Sequence, residues 1–108
     1  MTDFPDADYG EKIRIHVDPD LADLIPGFLE NRRKDITAMQ EALARGDFET
    51  VRVLGHSMKG AGGGYGFDAI TDIGAALEKA AKDNNPGTVL RGLRDLAAYL
   101  DRVEVIHD

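Results

Sequence analysis

The sequence predicts an all-α protein: an antiparallel up-down four-helix bundle with a short N-terminal helix and an extended N-terminal arm. From residue 18 onward, apolar residues recur with the spacing of amphipathic helices. Four such segments of similar length are separated by short connections, as in an antiparallel bundle. A length of 108 residues is typical of one domain. We therefore divide the chain into an arm, residues 1–17, and a bundle, residues 18–106.

The arm has a different periodicity from the rest of the chain. Ile13, Ile15 and Val17 alternate with Arg14 and His16, which is the pattern of a short strand or extended segment. Because the sequence offers no obvious partner strand, we expect this segment to lie against a helix.

Residues typical of helix ends stand between the helical segments: N-capping side chains, prolines suited to a first turn, and a C-terminal glycine. In chain order they are Asp18-Pro19, Pro26, Arg45-Gly46, Asp47, Asp68 and Asn85-Pro86-Gly87-Thr88. The apolar positions that we expect to face the core fall into four groups, one for each helix. They are Ile25, Phe28, Leu29, Ile36, Met39 and Leu43; Val51, Leu54, Met58, Ala61 and Tyr65; Ile70, Ile73, Leu77 and Ala81; Val89, Leu93, Leu96, Leu100 and Val103.

Composition excludes several classes of function. Twenty acidic and thirteen basic residues give a net charge of −7, which argues against nucleic-acid binding. With no cysteine, the chain has no disulfide, thiolate metal site or cysteine nucleophile. No segment approaches the roughly 20 apolar residues of a membrane helix, and the N-terminus does not resemble a signal peptide. We therefore expect a cytoplasmic protein.

Glycine is concentrated in one segment, with six of the twelve glycines between residues 55 and 66. Gly64-Tyr65-Gly66-Phe67-Asp68-Ala69 matches a loose dinucleotide-binding fingerprint, but that motif must follow a strand. The residues before it have helical periodicity instead, so nucleotide binding is not expected. Each glycine inside a helix costs about 1 kcal/mol relative to alanine, which indicates a geometric requirement. The alternative is that the helix ends near Gly60 and residues 61–66 form a loop.

A helical wheel places His56 on the outer face of this segment, roughly 160° from the centre of the apolar stripe. Arg52, Lys59, Gly60 and Gly63 surround it, because residues three, four and seven apart are neighbours on a helix. We expect Gly60 and Gly63 to leave space beside the imidazole. Gly62, nearer the core, would allow a neighbouring helix to approach. An ordinary solvated histidine is the simpler interpretation of the wheel alone. Locally, residues 31–60 carry six bases and four acids, a net charge of +2.

This segment resembles the signature of the histidine phosphotransfer (HPt) domain family. The matching residues are His56-Ser57-Met58-Lys59-Gly60-Ala61-Gly62-Gly63-Gly64-Tyr65-Gly66-Phe67, followed by Ile70 and Leu77-Glu78. The similarity is strongest over residues 50–84, and the predicted bundle extends it over residues 20–105. Three consecutive glycines are more than the pattern needs, and the arm is not part of it.

The resemblance implies that His56 accepts a phosphoryl group from a receiver-domain aspartate and passes it to another receiver, with Nε2 as the phosphorylated atom. The chain would then be a phosphoryl carrier rather than a self-sufficient enzyme. Lys59 would stabilise phosphoryl charge, and Arg52, Gly60 and Gly63 would form the face that docks on the receiver. No cofactor is expected on this chain, because Mg²⁺ would belong to the receiver. The implied partners are response-regulator receivers or a hybrid histidine kinase.

The alternative function is a non-catalytic helical adaptor or kinase inhibitor that uses the same face only for binding. Other constellations are weaker. Ser57 is adjacent to His56 on a helix and cannot face it, so a hydrolase triad is not expected. The three histidines, His16, His56 and His107, lie in the arm, a helix and the tail, which argues against a metal site. Phe48, Tyr65 and Phe67 are expected in the core. With no surplus apolar face evident, we expect a monomer.

Overall fold

The computed structural model describes residues 12–107, so most of the predicted arm and Asp108 lie outside the described residues. Strand β1 (Ile13–Val17) precedes a 3₁₀ helix (Pro19–Leu24). Helices α1 (Ile25–Ala44) and α2 (Phe48–Gly62) follow, and a 3₁₀ turn (Gly63–Tyr65) extends α2. Helices α3 (Asp68–Lys82) and α4 (Pro86–Arg102) come next, and β2 (Val103–His107) directly follows α4.

Most of the predicted helix ends are confirmed. The Asp18 carboxylate accepts a hydrogen bond from the Asp20 amide and begins the 3₁₀ helix, which is the predicted short N-terminal helix. Asp47 accepts from the Thr50 amide at the start of α2. Asn85 does the same for the Thr88 amide at the start of α4. At the end of α1, Gly46 has a φ of +72°, a left-handed conformation that glycine adopts without strain.

The prediction that Asp68 caps α3 is wrong. The N-cap is Phe67, which makes no side-chain capping hydrogen bond, and Asp68 is the first residue of the helix. Phe67 is fully buried, so packing decides where the helix begins, and the Phe67 carbonyl accepts from the Ile70 amide. An acidic side chain in the first turn still interacts favourably with the helix dipole.

The four α-helices of the described chain surround the hydrophobic core. Helices α1 and α3 each pack against both α2 and α4. Every predicted core position is buried or half-buried against this core, but Val103 lies in β2 and not in a helix. The aromatic prediction is also confirmed. Phe67 is fully buried, and Tyr65 and Phe48 pack against the core. The centroid of the Phe28 ring lies 4.5 Å from that of Tyr65 and 5.6 Å from that of Phe67.

Two features of the N-terminal segment correct the sequence prediction. The described residues are not purely helical, because β1 and β2 form a two-stranded parallel sheet that pairs Ile13 with Val103 and Val17 with His107. The extended segment therefore has a partner strand, which the sequence did not indicate. It also lies against the helical core as expected, because Val17 is buried there and Ile13 and Ile15 pack against it. Val103 continues the helical spacing of Leu96 and Leu100, so the sequence predicts that it belongs to the last helix. Its backbone is extended instead. The pairing also puts His16 and His107 on neighbouring strands.

Helices α2 and α3 are held close together by glycines. A Cβ atom on Gly55 would lie 2.8 Å from the Glu78 amide nitrogen, and one on Gly74 would lie 2.6 Å from the Lys59 amide nitrogen. A Cβ on Gly62 would lie 2.6 Å from the Thr71 amide nitrogen, which confirms the expected close approach of a neighbouring helix. The absent side chains therefore let the two backbones touch.

None of the helices within residues 12–107 is long and apolar enough to cross a membrane.

Candidate functional site

His56 lies on the outer face of α2, as the helical wheel predicts. Val51 and Met58 on the same helix are fully or almost fully buried, whereas the His56 side chain is 65% exposed. The helix continues to Gly62 and then tightens into the 3₁₀ turn, so the interpretation of residues 61–66 as a plain loop is wrong. The imidazole is therefore accessible on a regular, fixed backbone.

Glu78, on α3, is the partner that sequence reasoning did not identify. Its Oε2 lies 2.9 Å from His56 Nδ1, and its Oε1 lies 2.9 Å from Lys59 Nζ. Lys82 Nζ lies 3.8 Å from Oε2. The carboxylate is buried while its three partners are partly exposed. We refer to His56, Lys59, Glu78 and Lys82 as the Glu78 cluster.

The cluster keeps Glu78 ionised. The hydrogen bond from Lys59 is the main cause that lowers the pKa of Glu78 to about 2, and it outweighs burial, which raises the pKa; the hydrogen bond with His56 lowers it further. Because the pKa of Glu78 is lower in the folded protein than in the unfolded chain, its ionisation stabilises the fold. This contribution is complete at pH values above the ordinary pKa of a carboxyl group. The contribution is lost as pH falls towards about 2. At neutral pH the group is therefore an anion that can only accept hydrogen bonds.

An ionised Glu78 determines the tautomer of His56. Because a carboxylate offers no proton, the 2.9 Å contact requires that Nδ1 carries the hydrogen and donates it. In a neutral imidazole only one nitrogen is protonated, so Nε2 then keeps its lone pair. The site thus presents an exposed imidazole whose Nε2 is ready to act as a nucleophile.

The other predicted site residues lie around His56, each in a different environment. Lys59 is half-exposed, but its ammonium group contacts Glu78 rather than solvent alone. The guanidinium of Arg52 is paired with Glu49, with Nε 3.0 Å from Oε1, and this hydrogen bond is the main cause that raises the pKa of Arg52. A Cβ on Gly60 would meet no atom within 4 Å, which is the open space that the sequence predicts. The charge of Arg52 is therefore largely offset by its neighbour.

Gly63 is hydrogen-bonded to α3, in addition to lacking a side chain beside His56. Its amide donates to Thr71 Oγ1 at 2.8 Å, and the same hydroxyl donates to the Lys59 carbonyl at 3.0 Å. A Cβ on Gly63 would lie 3.6 Å from atoms of Thr71 and Asp68, an ordinary contact distance. Thr71 thus satisfies two backbone groups at the end of α2 and fixes the turn that follows Lys59.

The sequence contained a signal for Glu78, in the spacing of α3. Gly74 and Glu78 are four residues apart and so share one face of that helix. A glycine one turn before a glutamate indicates that this face of the helix can contact another backbone closely. Where that backbone is α2, at Gly55, the contact brings the glutamate carboxylate next to α2. For Lys82 and Thr71 the sequence carries no comparable signal. Within the described part of the chain, no group of three or more histidines and carboxylates could hold a metal ion.

A family model described as Hpt domain matches residues 23–105, a range that includes all four α-helices and the Glu78 cluster. Neither the curated proteins nor the solved structures gave a match.

Proposed function

Because the chain belongs to the Hpt domain family, whose role is phosphotransfer in two-component signalling, we propose that His56 is its phosphoryl acceptor and donor. His56 would take the group from a receiver-domain aspartate and pass it to another receiver. The observation that carries the proposal is the 2.9 Å contact between His56 Nδ1 and Glu78, because it leaves Nε2 as the nucleophile. We also propose that the four α-helices run antiparallel, in up-down order, as in other bundles with short connections.

The bonds that form and break in the transfer step involve only the imidazole ring and the phosphorylated aspartate of the donor. The Nε2 lone pair forms a bond to phosphorus while the bond between phosphorus and the aspartate oxygen breaks, and the electron pair leaves with that oxygen. The Nδ1 proton stays in place, so the ring gains a positive charge as the aspartate becomes a carboxylate. Glu78 faces Nδ1 and stabilises this charge as it develops. Donation to a second receiver reverses these bond changes.

Stabilisation of the phosphoryl charge is shared between the two proteins. On this chain we assign it to Lys59, whose side chain is 40% exposed and lies one turn after His56. In phosphoryl transfer most catalysis is positioning and charge stabilisation. The Mg²⁺ ion that such a reaction needs would be held by the receiver, so this chain is a carrier rather than an enzyme complete in itself.

The docking face would be the outer face of α2. A Cβ on Gly60 would meet no atom within 4 Å. Gly60, Gly63 and Arg52 are all neighbours of His56 on this face, since they are four or seven residues from it. Val53, one turn before His56, is 48% exposed and adds an apolar contact. A receiver can approach Nε2 closely here because no side chain projects from the two glycines.

The proposal is tested with a phosphorylated receiver domain and Mg²⁺. We expect an acid-labile phosphate to appear on the wild-type chain and not on His56→Gln, since glutamine lacks a nucleophilic nitrogen. Radiolabel transfer measures this directly, and receiver binding by both proteins is the control. If the wild type binds receivers but takes no phosphate, the chain is a binding-only adaptor. If His56→Gln is labelled as the wild type is, another residue is the acceptor.

A second prediction concerns the space above Gly60. Gly60→Leu is expected to slow transfer by roughly 10-fold or more, because it holds the receiver away from Nε2. The melting temperature should stay the same or rise, since leucine is favoured over glycine in a helix by up to about 0.8 kcal/mol and the site is open.

Gly60→Ala is the matched control, because its Cβ meets nothing within 4 Å, and it should transfer close to the wild-type rate. Transfer kinetics and thermal unfolding are measured on all three proteins. A Gly60→Leu protein that is much less stable yet transfers normally would show that this glycine serves helix packing.

A further inference from the structure

Lys82 is the member of the Glu78 cluster that the proposed function leaves without a role. It lies on α3, four residues after Glu78, and its Nζ is 3.8 Å from Glu78 Oε2. This is the favourable orientation for an ion pair within one helix, with the acid N-terminal to the base. Oε2 is also the oxygen that accepts from His56 Nδ1.

The two lysines contact different oxygens and come from different helices. Lys59 projects from α2 and lies 2.9 Å from Oε1, whereas Lys82 shares α3 with Glu78. A movement of Lys59 therefore leaves the pair between Glu78 and Lys82 intact. Both side chains are partly exposed, at 40% for Lys59 and 58% for Lys82, so neither is held in place by packing.

Phosphorylation changes the balance of charge around Lys59. A phosphoryl group carries close to two negative charges at neutral pH, more than the single charge of Glu78. Lys59 would turn to that group, and Glu78 Oε1 would lose the cation that it contacts. The positively charged ring and Lys82 would then be the cations beside Glu78, both at Oε2. A buried carboxylate that loses part of its compensating charge binds a proton more readily or leaves its position, because it is poorly solvated.

We propose that Lys82 is a positioning residue for phosphotransfer. It pairs with Glu78 while Lys59 contacts the phosphoryl group, so that Glu78 stays ionised and continues to accept the Nδ1 hydrogen bond. This inference rests on the proposed function of His56. Lys82 acts only through Glu78 and touches neither the ring nor the phosphoryl group.

Lys82→Met is expected to slow phosphoryl transfer from a phosphorylated receiver about 10-fold, which corresponds to about 1.4 kcal/mol in the barrier. Lys82→Arg, which restores the charge, should recover most of the rate. The matched control is Lys79→Met, the same change on the same helix, because Lys79 pairs with Asp83 at 3.1 Å and not with Glu78. It should transfer within two-fold of the wild type, and all three variants should melt within a few degrees of it.

A second readout does not depend on phosphorylation. In the unphosphorylated Lys59→Met protein, which mimics the departure of Lys59, ¹⁵N NMR should still report His56 with its proton on Nδ1. The double variant Lys59→Met/Lys82→Met should lose this preference. If the wild type takes up phosphate but Lys82→Met and Lys79→Met transfer alike, or the double variant keeps the tautomer, the inference is wrong. If the wild type takes up no phosphate, the proposed function itself fails.

Discussion

Glu78→Gln is expected to reduce phosphoryl transfer to His56 by about 100-fold, through the wrong tautomer of the imidazole. Lys59 lies 2.9 Å from Oε1, so the glutamine oxygen will take that position and accept from the ammonium group. The amide nitrogen then occupies the position of Oε2 and donates to His56 Nδ1. With Nδ1 accepting, the ring proton must be on Nε2, where it blocks the nucleophile. Transfer kinetics give the rate, and ¹⁵N NMR gives the tautomer.

The control for this substitution is Glu41→Gln, the same change at an exposed position on α1. It should leave both the rate and the His56 tautomer as in the wild type. Melting temperatures identify any variant that is poorly folded. Wild-type transfer by Glu78→Gln would contradict the role assigned to the carboxylate, and a slow variant with the wild-type tautomer would contradict the mechanism.

Gly74→Ala is expected to lower the free energy of unfolding by about 3 kcal/mol, and the melting temperature by more than about 10 °C. Its Cβ would lie 2.6 Å from the Lys59 amide nitrogen and 2.8 Å from the Gly55 carbonyl oxygen. Both are backbone atoms of α2, so no side-chain rotation relieves the contact and the two helices must separate. The same movement carries Glu78 away from His56, and transfer should fall as well.

Gly27→Ala is the matched control. Gly27 also lies in a helix, α1, but a Cβ there meets nothing within 4 Å. Alanine at that position should leave stability unchanged or raise it by up to about 1 kcal/mol. Chemical denaturation of both variants gives the comparison. Equal stability of the two would show that α2 and α3 are not held in contact at Gly74.

The sequence predicted the features that depend on neighbouring residues. Asp47 and Asn85 identify their helix starts because each caps a backbone amide three residues on, and such a contact needs no knowledge of the fold. The exposure of His56 follows from helical periodicity for the same reason. The open space above Gly60 was predicted on this basis too, since its surroundings are set by α2 itself.

What the sequence could not predict depends on contacts between elements. The hydrogen bond of His56 with Glu78 spans 22 residues, and it exists because Gly55 and Gly74 let two backbones meet. Asp68 was assigned as a cap from its residue type, but burial of Phe67 sets the start of α3. Likewise, Val103 continues the apolar stripe of α4, and only pairing with Ile13 shows that it begins a strand.

The parallel pairing of β1 with β2 has a consequence for the order of folding. Arg14 and Glu104, which pair across the two strands, are 90 residues apart in sequence. The entropy lost in closing a loop grows with its length, and a two-stranded sheet has little stability of its own. The helices must therefore pack before these strands can meet, so the sheet forms last. The contact between α2 and α3 joins segments close in sequence, so we expect the Glu78 cluster to assemble before the two strands pair.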